Sequence, residues 1–159
     1  MSYIGQPEIA TQKRLINLFK DELGYRYLGD RSEFENSNIW EEHLRAWLRK
    51  NGYTHAHIDR ALEKLHREVD NHNRTLYGNN KAVYSLVRYG VPVKVEASKP
   101  YETVHLINWN KPELNDFAIA EEVTLRGGHE RRPDLVLYIN GIAIGVIELK
   151  NSRTSLGNG

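Results

Sequence analysis

Three ionisable side chains near the end of the chain are spaced as a catalytic group would be. Asp134 opens one apolar run, Glu148 and Lys150 close the next, and thirteen residues separate the two acids. Carboxylates are too costly to bury unless they are paired or hold a metal. Two of them converging on one point, with an ammonium alongside, make a site for a hard divalent cation that keeps several waters and contacts a phosphate. The chemistry this suggests is phosphodiester hydrolysis. A second reading of Glu148 and Lys150, as the solvated end of a strand, stays open on the residues alone.

The element that must position these groups is a hairpin. Residues 135–139 (LVLYI) and 142–149 (IAIGVIEL) are β-branched-rich runs joined at Asn140-Gly141, the strongest short-range hairpin signal. Apolar residues occupy both alternating sets, so both faces are expected to be covered and the hairpin to be central in its sheet. Glu148 and Lys150, two apart, would share a face, with Leu149 turned the other way. A plain two-residue loop would set Asp134 across from Ile147 and away from Glu148. The site therefore requires either a three-residue loop with a bulge at Gly141 or a bulge near Gly145.

Upstream, Ile9, Gln12, Leu15, Ile16, Phe19 and Leu23 recur at helical spacing over 8–23, stopped by Gly24. Glu8 lies in the first turn of that helix, where the dipole alone would favour an acid. Residues 24–37 read as a polar connector. A second helix is expected from Asn38, as a cap with Glu41, through Leu44, Trp47 and Leu48 to Gly52. A third follows over 55–70, capped by Thr54, and a fourth over about 79–89, ending at Gly90. From Val91 the period changes to two, with runs at 91–95, 103–109 and 117–125 before the hairpin. The expected fold class is α+β, with N-terminal helices packed on a mostly antiparallel five-stranded sheet.

Composition bounds the remaining possibilities. A length of 159 residues fits a single domain, and with 22 basic and 21 acidic residues any contact with nucleic acid must come from a local patch. Arg126, Arg131 and Arg132 form one such patch, readable either as DNA-phosphate contacts or as a solvated loop. The absence of cysteine removes disulfides and thiolate zinc sites and is compatible with a reducing cytoplasm. No apolar run is long enough for a membrane span. The seven histidines lack metal-ligand spacing, and Trp40, Trp47 and Trp109 are expected to pack. Gly127-Gly128 is not followed by a Walker pattern, so no nucleotide site is expected here. The chain's ending reads as a loop cut short, so a longer protein is expected.

Arg131-Arg132-Pro133-Asp134 and Gly145-Val146-Ile147-Glu148-Leu149-Lys150 resemble the PD-(D/E)xK nuclease superfamily, and within it the N-terminal endonuclease domain of the type I restriction enzyme R subunit. The likeness extends to Glu8-Ile9-Ala10-Thr11-Gln12, to residues 21–29, to Arg88-Tyr89-Gly90-Val91 and to residues 115–124, almost the whole chain. It implies an α/β/α restriction-endonuclease-like arrangement. By position, the metal-binding acids fall on Asp134 and Glu148, helped by the Leu149 backbone carbonyl, the catalytic lysine on Lys150 and a helical acid on Glu8. The cofactor implied is Mg²⁺, with Mn²⁺ as a substitute. In the full-length subunit, ATP drives motor domains outside this chain, and a glutamine-and-tyrosine motif follows the lysine. The implied partners are double-stranded DNA and the specificity and methyltransferase subunits, in the cytoplasm. The rival expectation is a non-catalytic DNA-binding or docking module that keeps the nuclease fold.

Overall fold

A computed structural model describes residues 6–35, 37–125 and 129–150. The chain divides into two compact units, one formed by Met1–Asn38 with Asp116–Gly159, the other by Ile39–Asn115. Both mix helix and strand, so the fold class is α+β as the sequence predicts. Among the described residues no helix is long and apolar enough to cross a membrane.

The first unit begins with α1 (Gln6–Asn17), which passes into one turn of π-helix, Leu18–Glu22. Gly24 then takes a φ of +72°, ending the helix where the sequence places its stop. Four strands follow among the described residues: β1 (Arg26–Asp30) here, and β4 (Phe117–Glu121), β5 (Leu135–Ile139) and β6 (Ile142–Ile147) from the later part of the chain. They lie in the order β1-β4-β5-β6, with β1 parallel to β4 and the other pairs antiparallel. One face is covered by α1, where Ile16 packs on Ile119 and Leu135, with Leu15, Phe19, Tyr25, Leu137 and Ile147 around them. Phe19 meets Tyr25 edge-to-face at 4.9 Å. On the opposite face Ala118, Ala120, Val136 and Tyr138 are buried.

This sheet corrects the expected five-stranded one. Its parallel strand β1 comes from a segment that looks like a polar connector, because RYLGD finds its partner about ninety residues away and carries no alternation of its own. Nor is the hairpin wholly central. β5 is flanked on both sides, but β6 has one described neighbour, leaving Ile144 48% and Val146 53% exposed.

The hairpin turn is the two-residue type: Asn140 and Gly141 have φ of +52° and +84°, the pairing of a primed turn. Ile139 faces Ile142 and Tyr138 faces Ala143, but Leu137 faces Gly145. Ile144 is thus the extra residue of a bulge beside Gly145, the second of the two expected solutions. Asn140 is fully buried; its side-chain Oδ1 accepts the Asp116 N–H at 2.7 Å, and its N–H donates to the Asp116 carbonyl at 2.8 Å.

The second unit holds α2 (Glu41–Lys50), α3 (His55–Val69), α4 (Leu76–Tyr89) and a two-stranded antiparallel sheet of β2 (Val91–Val93) and β3 (Glu102–Val104). These strands pair with each other rather than joining the main sheet. Leu44, Leu48, Ile58, Leu62, Leu65, Val91 and Val104 are among its buried apolar residues. Thr54 caps α3 as expected, and Thr75 caps α4, which starts earlier than predicted. The Asn38 cap does not form: α2 begins after Trp40 with no side-chain cap. Trp47 is buried and donates its indole N–H to the Leu114 carbonyl at 3.0 Å. His57 lies 3.0 Å from Glu102 and His66 3.2 Å from Glu41, so both have carboxylate partners.

Candidate active site at one end of the main sheet

Strand direction decides which residues gather. With β1 and β4 parallel and β5 and β6 antiparallel in turn, the C-terminal ends of β1, β4 and β6 and the N-terminal end of β5 share one edge of the sheet. Asp30, Glu121 and Glu122, Asp134 and Glu148 stand at or just beyond those four ends.

The bulge sets the register on which the site depends. Leu135 faces Ile147 in the final ladder pair, so continuation by one residue places Asp134 across from Glu148. The backbone agrees, since the Leu149 N–H donates to Asp134 Oδ2 at 2.5 Å. A charge-assisted bond of this length fixes the carboxylate against the β6 extension. On its other side, the Asp134 carbonyl accepts the Glu122 N–H at 3.2 Å. Pro133, buried, restrains the backbone just before Asp134. Asp134 is half-buried, whereas Glu148 and Lys150 are exposed. β6 stops at Ile147 and residues 148–150 are irregular, so the pleat does not dictate the direction of Lys150.

Glu8 lies in α1, one turn before Gln12. Gln12 donates its amide N–H to Glu121 Oε2 at 2.6 Å, and the Tyr27 hydroxyl donates to Glu121 Oε1. That helix face is therefore turned to the end of β4. Among the described residues, no hydrogen bond or ion pair joins Glu8, Glu148 or Lys150 side chains to Asp134. Arg131 and Arg132 are exposed, and the Arg131 backbone exchanges both hydrogen bonds with Leu125, at 2.7 and 3.2 Å. Arg132 also approaches Thr124 Oγ1, at 3.4 Å. Arg126, Gly127 and Gly128 lie outside the described residues.

Reasoning from the sequence passed over Glu122 and Asp30. Burial, followed by the negative charges of Asp134 and Asp30, pushes the Glu122 carboxyl above the ordinary carboxylate range, with Arg132 partly offsetting the rise. Asp30 goes the other way: the Ser32 N–H, at 2.8 Å, holds its carboxyl low. Two consecutive acids closing the apolar run FAIA were the available signal for Glu122. Its φ of +52° ends β4 there, earlier than the periodicity suggested. Tyr27 is pushed up to about 12 by burial and by its bond to Glu121.

A family model describing the type I restriction enzyme R protein N terminus matches residues 5–159. Among curated proteins, the chain is similar to a putative type I restriction enzyme MjaIXP endonuclease subunit from Methanocaldococcus jannaschii, 26% identical over 163 aligned positions. That alignment covers 93% of this chain and 15% of the relative's length.

Proposed function

The chain belongs to the family of the type I restriction enzyme R protein N terminus, and on that premise we propose that it is the Mg²⁺-dependent endonuclease module of such an enzyme, hydrolysing phosphodiesters of double-stranded DNA. The observation supporting this reading is the bulged register, which ends on the pair Leu135 and Ile147 so that its continuation would set Asp134 across from Glu148, together with the Leu149 N–H on Asp134. Without the bulge the two acids would lie on opposite faces.

Among the described residues no three His, Cys, Asp or Glu side chains are grouped to hold a metal, so a hard cation would rest on two carboxylates and a backbone oxygen. Asp134 and Glu148 would hold Mg²⁺ with the Leu149 carbonyl, leaving room for waters and phosphate oxygens, the sparse oxygen ligation Mg²⁺ prefers. The Glu122 carboxyl beside Asp134 is raised first by burial and then by the negative charges of Asp134 and Asp30, and a cation between these acids would offset the second of those causes. When bound, the cation supplies Lewis-acid polarisation of the scissile phosphate and a nucleophile at neutral pH. The Lys150 ammonium would orient the attacking water and balance charge building on phosphorus. Glu8 would steady Lys150 or a water from the α1 side. Arg126, Arg131 and Arg132 would hold DNA phosphates, giving affinity without sequence information.

Because the chain spans 15% of its relative's length, cleavage in the whole subunit is proposed to follow ATP-driven translocation by domains outside these residues. Specificity and methyltransferase subunits would choose the target, and the setting would be the cytoplasm. Lys150→Ala in the full-length subunit should abolish cleavage and spare ATP-driven translocation; retained cutting would refute its role. Titration with Mn²⁺ should show binding that Asp134→Ala removes. Indifference to metal would instead favour a docking module.

A further inference from the structure

The helix α4, LYGNNKAVYSLVRY, contains no acidic residue, yet its exposed side is rich in large aromatics. Tyr77, Tyr84 and Tyr89 are 76%, 63% and 70% exposed. Lys81 and Arg88 are exposed as well. At about 3.6 residues per turn, positions 77, 81, 84 and 88 fall within a sector of roughly 60°, so ring and cation alternate along one stripe. Trp109 extends the stripe: the Arg88 guanidinium lies 5.0 Å from its ring centroid, and its indole N–H donates to the Val87 carbonyl at 3.2 Å. Among the described residues no carboxylate pairs with Lys81 or Arg88.

A merely solvated helix face would carry acids as readily as bases and few tyrosines. Rings interleaved with cations that no carboxylate neutralises match one class of ligand, a polymer that offers flat π-faces and an anionic backbone together. Successive rings on this stripe are about 10 Å apart along the axis, as are successive cations. Stacking on a tyrosine requires an unpaired base. We propose that this face of α4, with Trp109, binds single-stranded nucleic acid, bases on Tyr77 and Tyr84 and phosphates on Lys81 and Arg88. The stripe lies in the second unit, whereas Asp134 and Glu148 belong to the first. Its ligand binding does not depend on the nuclease reading.

Fluorescence anisotropy tests this on the 159-residue chain, with EDTA present so that cleavage is silent. The probes are a labelled mixed-sequence single-stranded oligonucleotide and a duplex of equal length. Tyr77→Ala with Tyr84→Ala should weaken single-strand binding about tenfold or more. Tyr84→Phe, which keeps the ring, should bind as the parent does. Lys81→Ala should flatten the salt dependence by about 0.7 in log–log slope. All these positions are solvent-facing, and circular dichroism should show each variant folded. Undiminished affinity in the double tyrosine variant overturns the assignment. Preference for the duplex, or no binding to either probe, overturns it equally.

Discussion

Asn140 offers a sharp test of how the hairpin is held, because two separable costs meet at one residue. Its φ of +52° lies in the left-handed region, and its buried Oδ1 takes the Asp116 N–H at 2.7 Å. Asp116 in turn receives the Arg26 guanidinium, so the contact ties the hairpin turn to the starts of β4 and β1. Asn140→Gly removes the side chain with its hydrogen bond to the Asp116 N–H but adds no backbone strain, since glycine accepts this conformation freely; the orphaned N–H costs about 1–3 kcal/mol. Asn140→Ala loses the same bond and adds about 1–2 kcal/mol of left-handed strain. The expected order of stability is parent, then glycine, then alanine, the last down by about 2–5 kcal/mol. For a chain of this size each kcal/mol moves the melting temperature about 2–4 °C, so thermal and urea unfolding of the three proteins resolves the steps. Equal losses for glycine and alanine would refute the strain component. An unchanged glycine variant would refute the hydrogen-bond component.

Other expectations follow from single observations. The Glu122 carboxyl is raised in the folded protein, so its contribution to stability is fully present below the unfolded value of about 4.5 and is lost as pH rises through the folded one. Glu122→Gln should therefore raise the melting temperature at neutral pH without metal, and the gain should vanish in acid; a pH-independent difference contradicts the cause assigned. A Cβ at Gly90, where φ is +89°, would stand 2.5 Å from Thr103 Cγ2 and 3.1 Å from the Val104 carbonyl. Gly90→Ala should cost about 2–5 kcal/mol from strain and overpacking together, and an unshifted urea midpoint would show that β3 yields. Leu65, fully buried in α3, should lose about 2–5 kcal/mol on truncation to alanine, measured by the same unfolding assay.

The sequence by itself determined the local features. The Asn140-Gly141 turn, the need for an extra residue so that Asp134 could meet Glu148, the Thr54 cap and the glycine stops at 24 and 90 all rest on backbone preferences within a few residues. Each could be read from residue type and spacing because its energetics are short-range. Only the tertiary structure decided what depends on distant partners. RYLGD becomes a strand because β4 lies beside it, although nothing in its own pattern asks for one. Among the described residues strand order leaves β6 at an edge, and strand direction brings Asp30 and Glu122 to the end where Asp134 stands. Those outcomes are settled by long-range pairing and by the charge environment it creates, neither of which is written in any single stretch of the chain.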